Sequence, residues 1–136
     1  SATVTLVWSA PADTHTCWCN TQTHPSVSAT TNASGVATFN IAGGACLNPA
    51  TILGGIAIEV FVNSIKLKEV GQVTPDVVSV NAPPCVVGLA DAVDFTTPLS
   101  TAAYSFCYNL NSDLSVGLAD ATILTPYVAG GANCQP

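Results

Sequence analysis

The sequence predicts a mostly β protein, with a β-sandwich over residues 1–73 and a smaller segment of two loop–helix repeats over residues 74–136. Three observations predict this. Short β-branched runs separated by turn residues fill the first part, as in a sandwich. One motif occurs twice in the second part, at 87–92 and at 116–121, which indicates an internal duplication. Between the two parts, Val73-Thr74-Pro75-Asp76 is a polar, proline-containing hinge.

The strands of the first part are predicted from β-branched and aromatic residues in alternation. Asn32–Gly35 is predicted to turn one hairpin, Asn63-Ser64 is predicted to turn another, and Gly43-Gly44 is expected to close the first. No helical period competes within this part. The predicted strands are 3–8, 26–31, 36–41, 56–62 and 65–70.

Each copy of the repeated motif is followed by an apolar stretch and then by a proline, Pro98 or Pro126. Apolar residues after Leu118 continue at roughly helical spacing, and those after Leu89 do the same, so each motif is predicted to begin a short helix. We expect Pro126 to limit its helix to about two turns or to kink it, because proline lacks the N–H of the helical ladder.

Composition excludes several classes of protein. Of 136 residues, 49% are hydrophobic and only 7% are charged, so disorder is not expected. The most apolar stretch, 52–62, is too short to cross a bilayer. Lys66 and Lys68 are the only fixed cations of a chain with net charge −6, which excludes nucleic-acid binding. A weakly charged, apolar surface favours association.

The charge is uneven along the chain. Residues 1–73 carry three carboxylates against two lysines, whereas residues 74–136 carry five aspartates and no cation. An acidic part without counter-charges suggests a metal cation as its partner, and the alternative is an ordinary acidic surface.

A twelve-residue stretch that ends at Asp120 has the spacing of an EF-hand-type calcium loop. Oxygen-bearing side chains fall at positions 1, 3, 5 and 12, and Ser115 at position 7 would supply a backbone carbonyl. Two departures are Leu114 at position 6, where glycine is usual, and an aspartate at position 12, where a longer glutamate is usual. The predicted Ca²⁺ ligands, of modest affinity, are Asn109, Asn111, Asp113, Ser115 and Asp120.

The first copy is poorer in ligands. Counting back from Asp91 places Val80, Ala82 and Pro84 at ligand positions. If Asp76 is the first ligand instead, the loop contains a four-residue insertion, and a disulfide at Cys85 is an alternative closure. Both loops could also be vestigial and kept for packing.

The pattern Asn109-x-Asn111-x-Asp113 followed by Val116-x-Leu118-x-Asp120 resembles a dockerin, and the resemblance covers residues 75–134. Residues 30–39 look like a hairpin of bacterial immunoglobulin-like domains. The resemblance implies two calcium-loop-plus-helix repeats and a cohesin-like partner. The pairs Leu89-Ala90 and Leu118-Ala119 differ from the polar pairs common in dockerins, so cohesin recognition does not carry over residue by residue.

Six cysteines indicate three disulfides and an oxidising compartment, and we expect a secreted chain with a mature N-terminus at Ser1. Cys107 is expected to pair with Cys134, and Cys46 with Cys17 or Cys19. Cys85 then takes the remaining partner. If that partner is the cysteine left over from Cys17 and Cys19, the disulfide joins the two parts of the chain, and an intermolecular bond is the alternative. A zinc site of His15, Cys17, Cys19 and His24 is the weaker alternative, because secretion favours oxidised cysteines.

Other candidate sites have simpler explanations. Asn32-Ala33-Ser34 is a glycosylation sequon by pattern, but it falls in a predicted turn. Trp8 and Trp18 could stack on carbohydrate, although a core or interface role is favoured. No catalytic motif is present; a pair formed by Asp91 and Asp94 is better explained by the loop.

Two functions remain. The favoured one is a secreted, non-enzymatic subunit of an extracellular filament or surface assembly, held by strand pairing and apolar contacts into a homopolymer. The alternative is an attachment module whose dockerin-like segment binds a cohesin-like or carbohydrate partner.

Overall fold

The fold was analysed in a computed structural model that describes residues 1–18, 24–41, 43–44, 46–48, 58–75, 85–101 and 104–130. The described residues form a mixed α/β structure: a four-stranded antiparallel sheet, a two-stranded sheet and three α-helices. The predicted sheet is confirmed, whereas helices make up more of the chain than the mostly β prediction implied. A second packed sheet of immunoglobulin-like form stays a prediction, as does the domain division at residue 73.

In chain order, the elements before residue 74 are β1 (Thr3–Trp8), α1 (Ala10–Thr14), β2 (Cys17–Trp18), β3 (Ser26–Thr30), β4 (Gly43–Gly44), β5 (Ile58–Val62) and β6 (Ile65–Val70). Those after it are α2 (Leu89–Thr101), a 3₁₀ turn (Phe106–Tyr108) and α3 (Leu118–Gly130).

The four-stranded sheet has the order β3-β1-β5-β6, so β3 and β6 are its edges. The hairpin of β5 and β6 turns at Asn63 and Ser64, whose φ angles of 47° and 68° are those of a tight two-residue turn. Lys66 on β6 donates to the carboxylates of Glu59 and Glu69, and these hydrogen bonds raise the pKa of Lys66.

Three predictions for the first part were wrong. Residues 36–41 form no strand: Asn32 turns the chain as predicted and its N–H donates to the Val36 carbonyl, but no ladder with β3 follows. Gly43–Gly44 does not close that hairpin and instead pairs with β2. Although no helix was predicted before residue 74, the short helix α1 forms after β1. Ser9 caps its N-terminus by accepting from the Ala12 N–H at 3.4 Å.

One face of the sheet is apolar and is covered at one end. Trp8 and Ile58 are cross-strand neighbours on this face, and both are buried against Ala12 of α1 and against Leu47. Leu47 is held by two backbone hydrogen bonds to Gln72, whose side chain accepts from the Trp8 indole at 3.2 Å. The opposite face is mixed: Thr5 hydrogen-bonds to Ser28 there, and Phe61 lies beside Thr5 on β5.

Helices α2 and α3 have 13 residues each and pack against each other. Because α2 and α3 continue past Pro98 and Pro126, Pro126 does not limit its helix to about two turns, and the alternative of a kink stays a prediction. A second, separate core lies here, formed by Val87, Phe95, Val116 and Leu124. In the described ranges no helix has the length and apolar character that a bilayer crossing requires.

Candidate functional site

The two copies of the repeated motif fold alike. In each, a glycine precedes the helix, and its N–H donates to the carboxylate three residues later: Gly88 to Asp91 at 2.8 Å and Gly117 to Asp120 at 2.9 Å. This is the back-bond of a capping box, with the acid in the first helical turn, where it also favours the helix dipole. Asp91 and Asp120 are only 1% and 0% exposed. Burial and capping explain why the motif requires an aspartate at this position.

The Asp120 carboxylate also fixes the start of the loop that precedes α3. We call Asn109–Asp120 the second loop. Oδ1 of Asp120 accepts the N–H groups of Leu110 at 2.7 Å and Asn111 at 3.1 Å, while Oδ2 accepts that of Gly117. One buried carboxylate therefore joins both ends of the loop, and both lone pairs of Oδ1 are engaged.

The other predicted ligands are brought together by short side-chain turns. Asn109 and Asn111 both accept the N–H of Asp113, at 3.2 and 2.9 Å. Asp113 in turn accepts from the N–H and hydroxyl of Ser115, at 2.9 and 2.7 Å, and from the amide of Asn111. The hydrogen bonds from Ser115, followed by that from Asn111, lower the pKa of Asp113. Oxygens at alternating positions thus wind the chain into one tight loop.

The backbone of this loop reaches the left-handed region twice, at Ser112 (φ 62°) and Leu114 (φ 71°). Position 6 of a calcium loop is normally glycine because the sharp turn there needs such a conformation. Leu114 adopts it in place of glycine, at a cost of about 1–2 kcal/mol. The departure seen in the sequence therefore does not change the path of the loop.

The fit of Ca²⁺ to this loop follows from its donor set. The loop carries two carboxylates and two amide oxygens in the order that a calcium loop uses, which fits a hard cation in type and position. Because Oδ1 of Asp120 already accepts two N–H groups, bidentate coordination would replace at least one of these bonds. No cluster of three or more His, Cys, Asp or Glu side chains occurs within the described ranges. Calcium binding here stays a prediction.

The first copy is described only from Cys85 onward. Asp91 is buried and capped as given above, whereas Asp76 lies outside the described residues. Burial, followed by the charges of Asp94 and Asp91, raises the pKa of the Tyr108 phenol. Tyr108 also packs edge-on against Phe95, with ring centroids 6.0 Å apart.

Two disulfides connect the part before residue 74 to the part after it: Cys17–Cys85 and Cys46–Cys107. The first realises the pairing that we expected to join the two parts. The pairings of Cys107 with Cys134 and of Cys46 with Cys17 or Cys19 were wrong, because both Cys46 and Cys107 are buried and their Cα atoms lie 5.3 Å apart. Cys19 and Cys134 lie outside the described residues. Disulfides are typical of an extracellular or otherwise oxidising environment.

The three alternative zinc ligands that the structure describes are engaged elsewhere. Cys17 is oxidised, and the Nδ1 atom of His15 contacts the Pro11 carbonyl. His24 contacts Asp13 at 3.1 Å and stacks on Trp18. Cys19 lies outside the described ranges, so the full set is not tested. Because the indole of Trp18 also donates to Asp13 at 2.8 Å, these groups form one stacked cluster on α1 and β2.

The predicted sequon and Trp8 have structural roles, in a turn and in the core respectively. The side chain of Asn32 accepts the N–H groups of Ser34 and Val36, as a turn residue does. Trp8 is almost fully buried and meets Trp18 edge-on at 4.9 Å. Trp8 is therefore a core residue.

A cleft that sequence reasoning did not find lies between the end of β6 and the second loop. Its volume is about 380 Å³, in the range of small binding sites. Leu114, 79% exposed, stands at its edge. An apolar residue at the usual glycine position of the loop was the available signal. The cleft is lined by Gly71, Val73, Tyr104, Phe106, Asn109, Leu110, Ser112 and Leu114.

Comparisons with protein-family models, with curated protein sequences and with solved structures found no match to the chain.

Proposed function

We propose that the chain is a secreted, non-enzymatic structural protein that assembles with copies of itself into an extracellular filament or surface layer. The observation that carries this proposal is the number of large apolar side chains at the surface of a chain with few charges. In water such a surface gains free energy when another protein covers it. Among the described residues, the aliphatic side chains that are at least half exposed are Val36, Ile65, Leu67, Leu89, Val93, Leu114 and Leu118.

Two further features support the same proposal. Both described disulfides cross-link distant parts of the chain, which suits a protein that works outside the cell. The edge strand β6 is exposed over Ile65–Glu69, and a strand edge is a template for pairing with another chain. An immunoglobulin-like sandwich for the first part and a dockerin-like character for the second belong to this proposal.

Calcium at the second loop is a separate part of the proposal. The carboxylates of Asp113 and Asp120, the amides of Asn109 and Asn111 and the Ser115 carbonyl would hold the ion. Its role would be to rigidify the loop beside the cleft.

An attachment module is the second candidate, favoured by one observation. Leu89 and Leu118 occupy equivalent positions at the start of α2 and α3 and are equally exposed, at 75% and 76%. A duplicated exposed residue is what a partner that reads the repeat would contact. Such a partner would be cohesin-like or a carbohydrate receptor.

The size of the purified chain in solution tests the first candidate. Light scattering coupled to size exclusion, with negative-stain imaging, should show concentration-dependent polymers. A monodisperse monomer at every concentration would contradict self-assembly. Capture of a partner by that monomer, lost in the Leu89→Asp/Leu118→Asp double variant, would favour attachment instead.

Calcium titration followed by thermal unfolding tests the loop. We expect millimolar Ca²⁺ to raise the melting temperature of the native chain and a chelator to reverse the rise. The Asp120→Asn variant is the matched control, because it removes one charge at similar volume and should respond less. No calcium-dependent shift in the native chain would exclude a working site.

A further inference from the structure

Part of the backbone that lines the cleft has hydrogen-bonding groups that no other described residue engages. The N–H and C=O of Gln72 both bond to Leu47. Backbone groups of successive residues in an extended chain point to opposite edges, so those of Gly71 and Val73 point away from Leu47. Neither residue has a backbone hydrogen bond to another described residue. This wall of the cleft therefore offers a short strand edge.

A second segment of the chain has the complementary property. In residues 36–41 the side chains of Ala37, Phe39 and Ile41 alternate with the others, which is the two-residue period of a strand. Beyond Val36, however, no residue of this segment has a backbone hydrogen bond to another described residue. Val36 and Ile41 are exposed. The segment thus has the sequence of a strand and no strand partner in the described chain.

We propose that residues 36–41 of one copy add as a strand to Gly71–Val73 in the cleft of a second copy. The inference rests on the proposed self-assembly and names the two surfaces that would carry it. Strand addition satisfies the backbone groups of both surfaces at once, which is the usual source of affinity in this mode of recognition.

Leu114 gives the cleft its apolar wall. The backbone of Leu114 is strained by its positive φ, and its apolar side chain is largely exposed to water. A glycine at this position would remove both the strain and the exposed apolar surface. An apolar segment that packs against Leu114 would bury its side chain and so offset the cost of its exposure. Tyr104 and Phe106 line the same cleft and extend the apolar surface available to Val36, Phe39 or Ile41.

Charge permits this contact. Copies with a net charge of −6 repel one another, so contact is easiest where neither surface carries a carboxylate. Residues 36–41 contain no ionisable side chain, and the lining of the cleft contains only Tyr104. An acidic partner would find no cation there.

The proposed contact joins two different surfaces of the chain. A heterologous contact of this kind leaves a free segment at one end of the polymer and a free cleft at the other, and it produces an open polymer unless the rotation closes a ring.

Two variants test the contact. Thr38→Pro removes a backbone N–H from the exposed segment, and its matched control, Thr38→Val, keeps that N–H. Leu114→Asp places a charge at the cleft, and Thr97→Asp places one at an exposed position of α2 outside every proposed contact. Circular dichroism and thermal unfolding establish that each variant is folded. Light scattering at increasing concentration then measures assembly.

We expect Thr38→Pro and Leu114→Asp to raise the apparent dissociation constant of assembly at least tenfold, while both controls assemble as the native chain does. A mixture of Thr38→Pro and Leu114→Asp should form 1:1 dimers and no polymer, because one variant keeps its cleft and the other keeps its segment. Polymers that persist in either single variant, or a mixture that stays monomeric, would overturn this contact and leave self-assembly standing. A native chain that never assembles would overturn both.

Discussion

The two loop–helix repeats share a buried aspartate and differ in what holds the chain before it. In the second repeat, Asp120 and the side chains of Asn109, Asn111 and Asp113 close the loop through hydrogen bonds. In the first repeat, Cys85 lies six residues before Asp91 and is bonded to Cys17. Among the described residues, the chain before α3 is thus held by polar side chains, and the chain before α2 by a covalent bond. Duplicated sequences can keep a cap while they change the loop that leads to it.

Of the changes that test this difference between the repeats, removal of a disulfide should lower the free energy of unfolding most. Each bond closes a chain loop of more than 60 residues, 68 for Cys17–Cys85 and 61 for Cys46–Cys107. Chain entropy predicts a loss of about 4 kcal/mol for either paired Cys→Ser variant. Urea unfolding measures this loss. The first repeat should lose more amide protection in the Cys17→Ser/Cys85→Ser variant than the second repeat does, and equal losses would contradict the asymmetry.

Asp120→Ala should cost roughly 3 kcal/mol of unfolding free energy, because three backbone N–H groups lose a charged acceptor in a buried site. Asp91→Ala should cost less, since Cys85 still holds the chain before α2. The difference between the two urea midpoints is the measurement. If Asp91→Ala were as destabilising as Asp120→Ala, the disulfide would not be replacing the loop.

Leu114→Gly should stabilise the monomer by about 1 kcal/mol, because glycine reaches a positive φ without strain. Leu89→Gly is the control at an exposed leucine with a helical backbone, where the same change should destabilise by about 1 kcal/mol. Thermal unfolding of both variants decides the sign. A loss of stability in Leu114→Gly would mean that the leucine packs within the monomer.

The smallest effect concerns pH. The pKa of Asp113 is lowered in the folded chain by its hydrogen bonds, so the stabilisation from Asp113 is present above about pH 4 and is lost as the pH falls through the lowered value. The difference in urea midpoint between the native chain and Asp113→Ala should therefore shrink in acid. A difference that is constant from pH 6 to pH 3 would show that the Asp113 charge contributes nothing.

The parts of the fold that could be predicted are those with local signals. β1, β3 and the β5–β6 hairpin have alternation and turn residues, and the repeat placed the starts of both helices correctly. The segment 36–41 has the same alternation, yet it forms no strand, because pairing depends on whether a neighbouring strand is within reach. Helix α1 was missed because its signal is short: a cap at Ser9 and Pro11 in the first turn.

The candidate site was predictable in its residues and only partly in their roles. The spacing of Asn109, Asn111, Asp113 and Asp120 identified side chains that do meet in one loop. The three backbone hydrogen bonds to Asp120 could not be predicted from spacing, because they depend on where α3 begins relative to the loop. The cleft depends on contacts between β6 and the second loop, which are distant in sequence, and so no local pattern contains it. Disulfide pairing has the same limit.

The two cross-links overlap along the chain, and this overlap bears on survival among proteases. Every peptide bond between Cys17 and Cys107 lies inside at least one of the two closed loops. One cut anywhere in that stretch, including one near Pro75, leaves the pieces covalently joined. A nicked molecule would keep its mass until a reductant is added.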